Sequence, residues 1–230
     1  MRYQLDGSEI LQKNTCLVAA RFVPGHPEAP ILTDLREWVS PGTHEEIIRT
    51  VRALDLPDKR GNGSFDRRAH IVWSWVCREI GYVDDLGSQG SREFWQFPSE
   101  TIALRQGDCE DSAVLLATLL LASGISPFCV RVVIGFARIA GDLIPHVWTI
   151  YKDEKGNWRI LETTAGDPGI AGDWPDADSA CKPDAPQLYK PDLCFNQFHV
   201  WRVSAVPISN VAAYIERFKT DRKQHKSVCD

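Results

Sequence analysis

The chain lacks any apolar run of membrane-spanning length. Its first twenty residues, MRYQLDGSEILQKNTCLVAA, hold no continuous hydrophobic stretch of the kind a secretory leader carries. Nowhere else does an apolar segment reach the roughly 18 residues that a membrane span requires. The expectation is a soluble, cytoplasmic protein with no membrane partner, unless it is released by another route. No Cys-x-x-Cys pair occurs among the cysteines at 16, 77, 109, 129, 181, 194 and 229. Their odd number and scattered spacing argue against a disulfide framework and against a structural zinc site. Cys181, Cys194 and His199 could share a metal, or Cys181 and Cys194 a bridge, but reduced thiols are the simpler reading. A basic excess is missing as well. The net charge of −5 at pH 7 disfavours nucleic acid as the main partner, and the basic stretch 217–226 is broken by Asp221 and reads as a solvated helix end. There is no internal repeat and no low-complexity segment.

What is present is an ordinary apolar content of 43%, enough for a sizeable core. The 230 residues suit a single domain over 1–230, its core spanning about 42–205. Pro24, Pro27 and Pro30 confine residues 1–40 to extended pieces and loops. SPGTHEEIIRTVRALDL reads as a helix, with Thr43 as its cap, Glu46 three residues later, and Ile47, Ile48, Val51 and Leu54 on one face. FDRRAHIVWSWVCREIGY (65–82) is a stronger helix ended by Gly81, and DDLGSQGS is a loop. A short helix starts at Pro98, with Glu100 in its first turn as a structural acid, and Gly107 ends it. Behind it, Val114, Leu115, Leu116, Leu119, Leu120 and Leu121 cover every side of a helix, which must therefore be central and buried.

After Gly124 the period changes. FCVRVVIGFARI, PHVWTIYKD and NWRILETT are β-branched and aromatic, and the turns AGD and EKGN suit antiparallel connections. Residues 165–197 form a long irregular segment suited to substrate selection. FHVWRVS (198–204) is a further strand, and NVAAYIERFKTDRKQ a closing amphipathic helix. Helices first and an antiparallel sheet after them make the fold class α+β.

The stretch RQGDCEDSAVLL puts one cysteine, Cys109, between Asp108 and Glu110, with Asp111 next. Negative neighbours disfavour a thiolate. The start of a helix favours one, because unpaired N–H groups and the helix dipole attract negative charge. Acyl transfer by a thiol also needs a histidine, a group that orients the histidine, and an oxyanion donor. His146 opens one strand, and Glu162 lies on the next strand across a short turn. Adjacent antiparallel strands bring such a pair side by side, about 5 Å apart at Cβ, where both can face the cysteine helix. His199, in a second His-Val-Trp triplet, is the rival histidine, and Asp153 and Asp167 are alternative acids. Acids in the first turn of a helix also stabilise it through its dipole, which is the simple reading of Asp111.

The order of helix-borne cysteine, strand histidine and next-strand acid resembles the transglutaminase-like superfamily. FWQFPSETIALRQGDCEDSA is more specific: Trp95, Pro98, Glu100, Gly107, Asp108, Cys109, Glu110, Asp111 and Ala113 match the W-x-x-P-x-E and G-D-C-E-D-x-A pattern of bacterial transglutaminase-like cysteine proteinases. The resemblance covers about residues 65–165 and implies a papain-like arrangement, the buried cysteine helix packed on the antiparallel sheet. It implies Cys109 as nucleophile, His146 as general acid and base, and Glu162 as the orienting acid where the family usually has Asp. Trp95 resembles a site tryptophan whose indole N–H can aid an oxyanion, Gln96 beside it is the rival side-chain donor, and the backbone N–H of Cys109 is the firmest donor. Some of these proteinases hold calcium beside the cysteine, which makes Asp108 and Glu110 candidate ligands; the thiol chemistry itself requires no cofactor. The function implied is a cysteine-dependent amide-bond hydrolase, a peptidase or amidase working through a thioester on a protein or peptide. The alternatives are a protein cross-linking transglutaminase and an inactive module that only binds.

Overall fold

The computed structural model describes residues 4–5, 9–12, 16–22, 30–61, 63–91, 93–139, 142–164 and 189–202. Asp167, Cys181, the basic stretch 217–226 and the expected closing helix lie outside them.

The core is organised around one helix. Helix α5 (Cys109–Ala122) is buried on every side from Cys109 to Leu121, as its unbroken apolar run requires. Helices α1 (Glu45–Ala53), α2 (Ser64–Glu79) and α4 (Pro98–Leu104) surround it on one side. On the other side lies a seven-stranded sheet. Its strands are β1 (Gln4–Leu5), β2 (Glu9–Gln12), β7 (Val130–Ile139), β8 (Asp142–Lys152), β9 (Trp158–Leu161), β10 (Tyr189–Phe195) and β11 (Val200–Arg202). They lie in the order β1-β2-β11-β10-β7-β8-β9, and every pairing described is antiparallel. The N-terminal residues, read as an extension outside the core, thus supply two strands of the main sheet. They also supply the hairpin β3 (Leu17–Phe22) and β4 (Pro30–Asp34).

Strand alternation divides the sheet into two faces. On β8, Val147, Thr149 and Tyr151 turn toward α5, and the Thr149 hydroxyl donates to the Ala113 carbonyl at 2.8 Å. Trp148 and Ile150 join Val133, Ile160, Cys194 and Trp201 in a second apolar cluster. Helix α2 braces the β8–β9 hairpin at both ends. Glu154, in the turn, accepts from the N–H groups of Gly63 (2.6 Å) and Phe65 (2.7 Å) at the helix start. Farther along, Trp73 Nε1 donates to the Glu162 carbonyl at 2.7 Å.

Four local expectations are corrected. Thr43 does not cap α1; its hydroxyl donates to the Ser40 carbonyl at 3.2 Å, and His44 takes the cap position. Residues 85–89, read as a loop, form helix α3 (Asp85–Gln89), capped by Asp84, which accepts from the Gly87 N–H at 2.8 Å. Helix α4 ends not at Gly107 but at Arg105, whose φ of 55° turns the chain. Gly107 instead belongs to β6 (Gln106–Gly107), which pairs in parallel with β5 (Gly81–Tyr82) just before the cysteine helix. The irregular segment expected over 165–197 ends earlier, because Tyr189–Phe195 is strand β10, held between β7 and β11.

Candidate active site

Cys109 is the first residue of α5 and is 3% exposed. Strand β6 delivers the chain to it. Gly81 and Val83 donate to the carbonyls of Arg105 and Gly107 at 2.9 and 3.0 Å, which fixes where the helix begins. The glycine before the motif is demanded by space: a Cβ at position 107 would lie 2.6 Å from the Cβ of Asp111. Asp111 uses this closeness. One of its carboxylate oxygens accepts the N–H of Gln96 at 2.7 Å and the other that of Asp108 at 3.3 Å, so it clamps the loop before α4 to the start of α5. That role exceeds the dipole effect expected of a first-turn acid.

His146 and Glu162 meet. His146 Nε2 lies 2.8 Å from Glu162 Oε2, with side chains 5% and 12% exposed. Thr164 donates to the other oxygen twice, through its N–H at 3.0 Å and its hydroxyl at 2.8 Å. Burial alone would raise the Glu162 carboxyl. The hydrogen bond and charge of His146, with the Thr164 donors, outweigh it and bring the carboxyl down to about 2. An ionised carboxylate only accepts, so Nε2 carries a proton toward it and Nδ1 is the ring nitrogen turned away from the acid. The indole of Trp148 stacks against His146, centroids 6.0 Å apart at 19°. Thr163, next to Glu162, shares a 2.7 Å hydrogen bond with Ser112, one turn along α5 from Cys109. The cysteine helix is therefore tied to the strand end that carries the acid.

The rival groups are engaged elsewhere. His199 rests against Phe198 and Trp201, and burial, then Arg36 and Arg131, lowers its pKa. Asp153 pairs with Arg159 at 2.7 Å inside the β8–β9 turn. Glu100 accepts the Phe97 N–H at 2.6 Å and pairs with Arg21, a structural duty at the start of α4. The indole N–H of Trp95, expected to serve an oxyanion, donates to Glu93 at 2.9 Å. Gln96 differs: it is 1% exposed, and among the described residues neither its Nε2 nor its Oε1 has a hydrogen-bond partner.

Around the thiol lies a buried group of five carboxylates. Asp85, Asp108 and Asp111 bring oxygens within 4.8 Å of one another, and so do Asp85, Glu93 and Glu110. Cys109 Sγ donates to Glu110 Oε2 at 3.1 Å. Asp108 is fully buried, and among the described residues no backbone or basic group donates a hydrogen bond to either of its oxygens. Burial, then the charges of Glu110 and Asp111, pushes the Asp108 carboxyl well above its usual range. Burial, then Glu110, does the same to Asp111. A buried, all-oxygen group with carboxylate oxygens left without donors fits a hard divalent cation. Asp85 and Glu93 were missed in the sequence. Glu93 lies two residues before the motif tryptophan and was the nearer to being found; Asp85 carries no local signal.

No curated protein matches the sequence. Among solved structures, LapG of Legionella pneumophila in its EGTA-treated form is similar with a TM-score of 0.48 and 20% identity, covering 69% of this chain and 73% of that one. Its calcium-bound form gives 0.48 and 20%, covering 75% and 85%. The model of the transglutaminase-like superfamily matches residues 57–163, from the approach to α2 through Cys109 and His146 to Thr163. Over that span, where a buried helix packs on an antiparallel sheet, the chain is similar to the transglutaminase-like superfamily.

Proposed function

We propose that this protein is a cysteine-dependent amide-bond hydrolase acting on a protein or peptide. The observation that carries the reading is the His146–Glu162 pair. It is buried and oriented with Nε2 toward the acid, on a hairpin joined to the cysteine helix by Ser112 and Thr163. In this reading the Cys109 thiol gives its proton to His146 Nδ1, and the thiolate attacks the amide carbonyl. The C–N bond breaks as His146 returns the proton to the leaving amine, leaving a thioester. Water, deprotonated by His146, adds to the thioester and releases the acid and the thiol. Glu162 holds the ring and balances the imidazolium charge. The developing oxyanion takes hydrogen bonds from the Cys109 backbone N–H, at a helix start, and from the Gln96 amide, which has no other partner among the described residues.

Calcium is the cation whose chemistry suits the carboxylate group, with Asp85, Glu93, Asp108, Glu110 and Asp111 as its oxygen donors. When bound, it supplies positive charge that offsets the acids beside the thiol.

The test compares wild type with Cys109→Ala on a mixed proteome, scored for new cleavage products and for incorporation of a labelled amine. New cleavage products that vanish in Cys109→Ala are expected. Amine incorporation without cleavage would replace hydrolysis with cross-linking, and neither product would leave a binding module.

A further inference from the structure

We infer that Tyr189 is a positioning residue for the catalytic acid; the inference rests on the Cys109–His146–Glu162 reading above. Tyr189 opens β10, and its hydroxyl donates to Glu162 Oε2 at 3.0 Å, the same oxygen that faces His146. Among the described residues the carboxylate thereby receives four hydrogen bonds: two on Oε1 from Thr164, and one each on Oε2 from His146 and Tyr189. Four is about the number of lone-pair sites a carboxylate offers. Thr164 anchors one oxygen and Tyr189 the other, so the plane of the carboxylate is set by groups that take no part in proton transfer.

The approach of Tyr189 is itself built. Strand β10 is separated from β9 by β7 and β8, so the phenol reaches across the sheet to touch the acid. It lies against Trp148, centroids 5.1 Å apart, and the same indole stacks on His146. The histidine and the tyrosine that converge on Glu162 thus share one aromatic floor. Space for that floor comes from Gly135 on β7, which is in register with His146. A Cβ at position 135 would lie 2.9 Å from Trp148 Cη2 and 2.2 Å from the Lys190 carbonyl oxygen. A tyrosine that only filled space against Trp148 would not need its hydroxyl on the carboxylate.

Tyr189→Phe separates the two roles, because it keeps the ring and removes the hydroxyl. The measurement is the rate of iodoacetamide alkylation at Cys109, read by peptide mass spectrometry near neutral pH, in wild-type, Glu162→Gln and His146→Ala backgrounds. The nitrogen-15 spectrum of the His146 ring is recorded alongside. Tyr189→Phe is expected to slow alkylation about tenfold in the wild-type background, the usual scale for one hydrogen bond to a charged group. In Glu162→Gln it should add less than about twofold, because its target is gone. The His146 spectrum should move from a single Nε2-protonated form toward a mixture with the Nδ1 tautomer. Equal slowing in both backgrounds, no slowing, or an unchanged ring spectrum would overturn the role of Tyr189. If His146→Ala and Glu162→Gln themselves alkylate like wild type, the triad reading falls and takes this one with it.

Discussion

The His146 ring nitrogen Nε2 and the Glu162 carboxylate oxygen Oε2 lie 2.8 Å apart, both nearly out of contact with water. This distance ties the stability of the protein to pH and gives the site its polarity.

The folded Glu162 carboxyl lies at about 2, below its ordinary value of 4.5. Its contribution is therefore fully present above 4.5 and is lost as the pH falls from 4.5 toward 2. The size is on the order of 3 kcal/mol. Urea unfolding of wild type and Glu162→Gln at pH 6 and at pH 3 should show a stability gap that narrows on acidification. A gap of constant size would mean that the pair is not ionic.

The carboxylates around Cys109 work with the opposite sign. Asp108 and Asp111 are raised above 3.8 by burial and by neighbouring charge. They favour the fold when protonated, and that contribution is lost as the pH rises through their folded values. In chelator at neutral pH, Asp108→Asn should melt above wild type. Calcium at about a hundredfold its dissociation constant should raise the wild-type melting temperature by roughly 5–10 °C and leave Asp108→Asn almost unmoved. Calorimetry with and without calcium checks both.

Trp73→Phe keeps a large apolar ring in α2 and removes the N–H that the Glu162 carbonyl accepts at 2.7 Å. The expected loss is about 1–2 kcal/mol of stability. Cysteine alkylation should slow as well, because that carbonyl belongs to the acid that holds His146.

Gly135→Ala would force a methyl into the Lys190 carbonyl and the Trp148 ring. Overpacking of this kind costs roughly 1–3 kcal/mol. Near-ultraviolet circular dichroism should report the displaced indole, and the His146 ring spectrum should change with it.

Much of this was legible in the residues, and for local reasons. The all-round apolar run behind Cys109 can only be a buried helix, and alternation and turn residues mark β7, β8 and β9. His146 and Glu162 lie on consecutive strands joined by one short turn, so a hairpin suffices to make them neighbours. Other parts of the site left no such trace. Tyr189 lies 27 residues beyond Glu162, and Glu154 lies 89 residues beyond Phe65; pairings of that kind impose no period on the sequence between them. Trp95 matched a motif, yet whether its N–H is available depends on Glu93, which only the folded loop brings to it. Asp85 joins the carboxylate group because α3 forms where a loop was read. Sequence determined the elements and the chemistry they carry, since helix and strand periods and caps are set within a few residues. Tertiary structure alone decided which donors each carboxylate meets, because that depends on packing between segments far apart in the chain.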